Sequence, residues 1–581
     1  MGMLDHTTTF ADAVAHDGAR AVLDRYLPGF AGTPQAGQLG PFPLGVIART
    51  VPALRDDAER AAAFWAELSD LDFEAAPRVH GPAITPDPRY EDDSVTRGSA
   101  ACVVPAEVPR WGVAEIELRG PSHGNPFVDV DVWATFTDGD REIRCGGFYD
   151  GDGVYRIRML AGQEGVWRFV TGSTARSLDG IEGEFRVGAA QAGRHGPVRV
   201  EGMHFRYADG TRYRPWGTTA YAWTHQSPEL QRQTLDTLAA SPFNKIRMCV
   251  NPKSFLYNTE EPDRLPFTRT GEGFDVTRFD VESFRNLERR VADLADRGIE
   301  ADLILFHPYD RWGLADLGPA VDERLVTYTV RRLAAHANVW WSLSNEYDLV
   351  MAKTVGDWER IAEVVVREDP HDHLRSIHQC FGFYDNSRPW ITHSSLQRVD
   401  VYRTAENTDQ WRDQWAKPVV IDECGYEGDV EYGWGNLTGE EMVRRIWEGA
   451  VRGGYVGHGE TYINEREELW WSKGGALTGG SPARYAFLET IVAESPTGVL
   501  DPLPSDWDLP WGGVPGRYLV GYVGFSRPRH RNVFLPEGRF RVDVVDTWNM
   551  TVESLPGTYE SAVLVPLPAR QFMAIRLVRV D

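Results

Sequence analysis

Between residues 197 and 500 the chain alternates eight short apolar runs with helical stretches, and no other feature constrains its fold so tightly. The runs fall at 213–219, 244–250, 300–306, 339–344, 374–378, 390–394, 418–422 and 455–462. Runs of this length and character predict buried strands. Helical periodicity fills most of the gaps. Phe284, Leu287, Val291 and Leu294 recur at i, i+3, i+7 and i+10, and Val321, Leu325 and Tyr328 mark a second stripe. Eight strands with intervening helices over this length predict an α/β fold, a (β/α)8 TIM barrel at 197–500. An open doubly wound sheet would carry a glycine-rich phosphate turn after its first strand, and RPWGTTAYAW (214–223) is not one.

The flanks read differently. Residues 1–90 predict a helical N-terminal region, clearest in DDAERAAAFWAELSDL (56–71), with Ala62, Trp65 and Leu68 on one stripe and acids at its start. Such a region would pack on the main body or on another subunit, and a homo-oligomer is expected. GPAITPDPRYEDD (81–93) holds three prolines and reads as a linker. From 95 to 190 the period shortens. VDVDVWATF (128–136) alternates, and short strands separated by Gly and Asp turns predict a β-sandwich. Short strands return over 501–581, which predict a small C-terminal β-sandwich domain.

A net charge of −24 over 581 residues repels phosphate backbones and anionic membranes, so neither nucleic acid nor a membrane surface is an expected partner. The excess of 20 Trp, 21 Tyr and 25 Phe suits sugar recognition, because sugar C–H faces stack on aromatic rings, although Trp also fills cores. Five widely spaced cysteines with no CxxC pair point to reduced thiols rather than a disulfide framework or a zinc knuckle. The N-terminal residues show no basic segment followed by an apolar one, and no apolar run approaches the ~20 residues of a membrane span. The expected location is the cytoplasm.

Two of the apolar runs end on carboxylates. VWWSLSNEYDLV (339–350) delivers Asn345-Glu346 after the fourth strand, and KPVVIDECGYEGD (417–429) delivers Asp422-Glu423 at the end of the seventh. In a parallel barrel every strand presents its C-terminal end to the same face. Glu346 and Glu423 would then face each other across one pocket. Paired carboxylates are what glycosidic cleavage requires: one protonates the leaving oxygen, and the other attacks the anomeric carbon or activates water.

This arrangement resembles the clan A glycoside hydrolases. NPFVDVDVWATFTDGDREIRCGGFYDGDGVYRIRML is similar to the N-terminal sandwich attached to apiosidase-like barrels, and SNEYD, IDECGYEG and ELWWSKGGALTGGSPAR resemble a subgroup of those barrels with a small C-terminal β domain. The resemblance implies that Glu346 is the acid/base and Glu423 the nucleophile, with retention of configuration. It also implies that Asn345 bonds the sugar's 2-hydroxyl and that Arg247, at the end of the second strand, supports the nucleophile. Tyr347-Asp348 stand where many clan A members have a proline, so no substrate is carried over.

Further candidates end the other strands. His307 and Asp310 lie in LFHPYDRWG after strand three and could bind sugar hydroxyls. His378 and His393 end the fifth and sixth runs, and Glu460 the eighth. Trp470 and Trp471 could form a stacking wall, or one could seal the barrel rim; Trp216 and Tyr221, around strand one, could do the same. The mouth histidines and acids show no HExxH spacing, so neither a metal nor a cofactor is expected. The sequence thus predicts a retaining, exo-acting glycoside hydrolase on small glycosides or oligosaccharides. An endo-acting glycanase and a catalytically silent carbohydrate-binding protein are the alternatives.

Overall fold

A computed structural model describes residues 2–4, 8–32, 39, 42–73, 84–271, 273–398 and 403–581. At its centre eight parallel strands curl into a barrel: β1 (Gly217–Thr219), β2 (Lys245–Cys249), β3 (Glu300–Phe306), β4 (Val339–Ser344), β5 (Arg375–Ser376), β6 (Ser394–Gln397), β7 (Val419–Glu423) and β8 (Tyr455–Val456). Ladders run from β1 through β5 and from β6 through β8. A Thr218–His458 bridge joins the last strand to the first, and the Thr392 N–H donates to the Arg375 carbonyl between β5 and β6.

The strand β4 shows why these residues form this layer. Val339, Trp341 and Leu343 face outward into the apolar cluster shared with Trp358, Ile361 and Val365 of the helix Val355–Glu368. Trp340 joins a different cluster with Phe205, Tyr213 and Tyr455 at the N-terminal end of the barrel. Both sets are buried, so the run reads apolar without alternation. Each fully buried side chain of this size contributes about 1.5–3 kcal/mol. The helix Val281–Ala295 buries the stripe Phe284, Leu287, Val291 and Leu294, and Asp280 caps its start by accepting the Ser283 N–H. The helix Pro319–Leu333 buries Val321, Leu325 and Tyr328.

Before the barrel lies a sheet of eight strands between Ala101 and Gly188, in which the long strand Glu142–Tyr149 pairs with Val132–Thr137 by one half and with Val154–Leu160 by the other. Its alternating residues Ile116, Leu118, Phe136, Ile157, Trp167 and Phe169 enclose one core. Asp150, buried at the junction with the barrel, accepts bonds from Arg156, Arg285 and Arg332, which ties sandwich to helices. After the barrel, a six-stranded antiparallel sheet and a two-stranded partner occupy Asp501–Arg579. The N-terminal helices Phe10–Ala15, Asp17–Tyr26, Leu44–Thr50, Pro52–Arg55 and Ala58–Ser69 share a small core of their own.

Several local expectations shift. In Ala58–Ser69 the buried stripe is Phe64 and Leu68, while Ala62 is exposed and Trp65 only partly covered. The first residues of the expected linker, 81–83, lie outside the described residues; the rest is held on the sandwich, where the Tyr90 hydroxyl donates to the His123 carbonyl. The sixth strand is Ser394–Gln397, not 390–394, because the apolar Trp390 and Ile391 belong to the approach and not to the ladder. The eighth strand stops at Val456, and Glu460–Thr461 pairs separately with Glu427–Gly428. No described helix is long and apolar enough to cross a membrane.

Candidate active site

Glu346 follows β4 immediately and Glu423 is the last residue of β7, so both stand at the C-terminal mouth. The backbone aims each of them. Glu346 has φ 49° and ψ 56°, a left-handed conformation that ordinary residues avoid. In β7 the pairing with β6 slips: Leu396 faces Ile421 and Gln397 faces Glu423, which leaves Asp422 as the extra residue of a bulge. Strict alternation would send Asp422 and Glu423 to opposite faces; the bulge lets both serve the interior.

One network holds the pair. The Arg247 guanidinium donates from Nη1 to Glu423 Oε1 at 3.0 Å and to Asn345 Oδ1 at 2.8 Å. The Tyr221 hydroxyl donates to Glu423 and lies 3.2 Å from Asn345 Oδ1. With Oδ1 engaged twice, the Asn345 amide nitrogen has no protein acceptor among the described residues and is left to the pocket. On the other side Tyr309 donates its hydroxyl to Glu346 Oε2, and Gln397 Nε2 donates to Glu346 Oε1 at 3.1 Å. His378 joins the halves, with Nε2 3.4 Å from Glu423 Oε1 and 3.1 Å from Gln397 Oε1. Its Nδ1 lies 3.0 Å from Ser395 Oγ, whose hydroxyl donates to Asp422 at 2.6 Å. Asp422 in turn is paired with Lys245, which also bonds Asp302, in the barrel interior.

These surroundings push the two carboxyls apart. Burial raises Glu346, the charge of Glu423 raises it further, and the bonds from Tyr309 and Gln397 and the charge of Lys253 recover only part. Burial alone would raise Glu423 as well. The bond and charge of His378, the charge of Arg247 and the Tyr221 hydroxyl outweigh it and hold Glu423 well below the usual carboxylate range. One carboxyl raised beside another lowered is the separation that general acid catalysis by the first and attack by the second needs.

Not every predicted residue converges here. Arg247, Asn345, Tyr221, His378 and Trp471 do; Trp471 stands edge-on to Tyr221 with ring centroids 5.7 Å apart. His307 is buried beneath the mouth, with Nε2 3.3 Å from the Asn251 carbonyl, and burial lowers it to about 3. His378 is fully buried, so it supports Glu423 and Gln397 and offers no surface to a sugar. Asp310 caps its own loop by accepting the Trp312 and Ala315 N–H groups. Trp470 is the rim-sealing partner of the Trp pair, buried with its Nε1 on Thr218 Oγ1 at 2.8 Å. Trp216 and His393 precede β1 and β6 and so sit at the opposite end of the barrel, Trp216 bonded to Glu489 and His393 packed on Trp340 and Phe205.

Glu460 is engaged elsewhere. It accepts the N–H groups of Thr478 and Gly479, while its neighbour Glu427 accepts those of Gly480 and Ser481. Glu427, His458 and Glu460 are the described group compact enough to consider for a metal. Gly479 occupies the space between the two carboxylates: a Cβ there would come within 2.6 Å of Glu427 and 2.7 Å of Glu460. Their oxygens are committed to the loop that leads into the helix Pro482–Ala493.

Sequence reasoning missed Gln397 and Lys253, and in the mouth loop it favoured His307 and Asp310 over Tyr309. Gln397 was hidden by the misplaced sixth strand; read as the strand's last residue it falls at the mouth. Tyr309 stood inside LFHPYDRWG, where nothing singled it out from its neighbours. Lys253 follows β2 by four residues, on a loop whose course the sequence does not specify.

A family model described as "Apiosidase-like, catalytic domain" matches residues 200–473. Models of two domains of unknown function, DUF5060 and DUF5605, match 107–174 and 507–578. A Bacteroides vulgatus protein of proposed glycoside hydrolase activity, solved at 1.80 Å, is 37% identical; the match covers 82% of this chain and 100% of that one, with a TM-score of 0.78. This chain is an apiosidase-like glycoside hydrolase of clan A. A family 5 glycoside hydrolase from the same organism shares the fold at 15% identity and a TM-score of 0.53, over 66% of this chain and 94% of its own. No curated protein matches the chain. The TIM-barrel-like centre of this glycosidase and its carbohydrate substrate follow from that membership. The pocket residues above lie within the matched catalytic segment.

Proposed function

We propose that this glycosidase hydrolyses small glycosides or oligosaccharides with retention of configuration, from the chain end, by double displacement between Glu423 and Glu346. The observation that carries the reading is the single hydrogen-bonded network that lowers Glu423 and leaves Glu346 raised. In the first step Glu423 attacks the anomeric carbon while Glu346 gives its proton to the departing oxygen. Arg247 and Tyr221 hold one Glu423 oxygen, which fixes the direction of attack. Asn345 offers its free amide N–H to the 2-hydroxyl. In the second step Glu346, now a base, takes a proton from water, which releases the sugar from Glu423. His378 and Gln397 link the two carboxylates, so the charge lost at one is felt at the other.

Exo action rests on the buried position of both carboxylates and on the aromatic wall of Tyr221, Tyr309, Trp434 and Trp471, which favour a pocket over a groove. A cytoplasmic location and self-association through the N-terminal helices complete the proposal; sedimentation of the full chain and of a chain lacking residues 1–90 tests the latter. The function is tested with nitrophenyl glycosides, pyranosides and furanosides alike, followed by proton NMR of the first-released sugar. Retention is expected, and an inverted anomer would remove Glu423 as nucleophile. Products longer than one or two sugars from an oligosaccharide would replace exo with endo action.

A further inference from the structure

Lys253 is buried at the pocket without an anionic partner. Its Nζ lies 3.6 Å from the ring centroid of Tyr221, 4.4 Å from that of Tyr309, 4.5 Å from Trp471 and 5.8 Å from Phe255. Among the described residues no carboxylate comes within ion-pair distance of it and no acceptor takes its N–H groups, in contrast to the buried Lys245 and Lys353, which are paired with Asp302 and Asp422 and with Asp322. An ammonium in this position forfeits its hydration, and cation–π attraction replaces only part of it. The structure therefore keeps a costly charge whose three donors are unspent.

Its place says what they are for. The Tyr221 ring carries the ammonium on its face and Glu423 on its hydroxyl; Tyr309 does the same for Glu346. Lys253 is 4% exposed, in the same range as Glu346 at 5% and Glu423 at 7%, and the two rings nearest its Nζ are the ones whose hydroxyls hold those carboxylates. A sugar seated against the two carboxylates would stand over these rings and beside Nζ. A neutral hydroxyl there satisfies one donor and leaves the charge unmet. A carboxylate satisfies both.

We propose that Lys253 is a specificity-determining residue that selects a sugar bearing a carboxylate, so that the substrates of this pocket are uronosides. The inference deepens the glycosidase reading and rests on it for the word substrate, but the binding it requires does not depend on turnover. The charged and titratable groups facing Lys253 are Glu346, Glu423, Arg247, Cys249, His307 and the phenols of Tyr221 and Tyr309 on one side, and Glu260, Glu468 and Lys473 across a second cavity that it lines. Burial lowers Lys253 to about 8, so the affinity of the free protein for an acid should weaken as the pH rises above that value.

The test is calorimetric titration of the full-length protein with a panel of hexuronates and penturonates, each beside its neutral counterpart, repeated on Lys253→Met. Methionine keeps the length and packs on aromatic rings, so the cage is preserved. At least one acid should bind the native protein about 10- to 100-fold tighter than its neutral partner, as a charge-assisted bond predicts. Lys253→Met should remove that ratio, and the preference should fade above pH 8. If no acid exceeds its neutral partner, or if the ratio survives in Lys253→Met, the inference is overturned, whatever the enzyme hydrolyses. If the acids bind as expected and no uronoside is cleaved, the recognition stands and the hydrolytic reading fails.

Discussion

The left-handed backbone at Glu346 makes a prediction about stability that is separate from chemistry. At φ 49° and ψ 56° a Cβ crowds the neighbouring carbonyl, at a cost of about 1–2 kcal/mol that glycine does not incur. Glu346→Ala and Glu346→Gly both remove the carboxyl, the Tyr309 and Gln397 bonds and the repulsion from Glu423. They differ in the Cβ and in the greater freedom of glycine in the unfolded chain, worth about 0.5–1 kcal/mol. The balance favours Glu346→Gly over Glu346→Ala by about 0–1.5 kcal/mol, with about 0.75 kcal/mol at its centre. For a unit the size of the barrel that is a melting difference of about 1–2 °C. Glu363, exposed in the helix Val355–Glu368, is the control, since there alanine should exceed glycine by about 1 kcal/mol. Scanning calorimetry of the four variants reads both differences. If alanine exceeds glycine at 346 by as much as it does at 363, the carboxyl is not held on strained backbone, and the account of how β4 aims it is wrong.

Other outcomes follow from the same geometry. Activity requires Glu423 ionised and Glu346 protonated, so kcat/KM should rise as Glu423 loses its proton at low pH and fall as Glu346 loses its own at higher pH. Tyr309→Phe removes a bond that favours the Glu346 anion, so the proton is kept longer and the alkaline limb of kcat/KM should move up while the acid limb stays. Lys245→Met leaves Asp302 and Asp422 buried without their cation and should cost about 3–5 kcal/mol in urea unfolding, with partial recovery in Lys245→Met/Asp302→Asn. Glu460→Gln should cost about 1–3 kcal/mol of stability through the Thr478 and Gly479 amides with KM unchanged, and a large rise in KM would return Glu460 to the sugar site.

The barrel was legible because burial on both faces leaves a mark in sequence. Val339–Ser344 and Val419–Glu423 are continuous apolar runs that end abruptly in carboxylates, and the helix stripe at Phe284, Leu287, Val291 and Leu294 fixes what lies between. Where the strand is short the mark fades. β5 is two residues long and β6 is Ser394–Gln397, polar at all but Leu396, so apolar Trp390 and Ile391 drew the strand to the wrong register and put His393 in place of Gln397. The same one-dimensional reading sent Trp216 to the mouth, although it precedes its strand. Glu460 shows a further limit: a carboxylate near a strand end serves backbone amides as readily as sugar hydroxyls, and the loop that claims it, at Thr478–Ser481, is distant in sequence. Lys253 carries no motif at all. Its meaning comes from three rings on three different segments.

The central claim is the assignment of roles to Glu423 and Glu346, and pre-steady-state release of nitrophenol by Glu346→Ala tests it most directly. Without the acid, a nitrophenyl glycoside should still react, because that leaving group departs unprotonated, whereas general acid help of ~10²–10⁴-fold is lost on an alkyl glycoside. Without the base, the second step should stall, giving a burst of nitrophenol, a glycosyl adduct on Glu423 by intact mass and peptide mapping, and its discharge by azide. Glu423→Gln should give neither burst nor adduct. A burst from Glu423→Gln with none from Glu346→Ala would exchange the two roles, and an adduct on any other residue would contradict the mechanism.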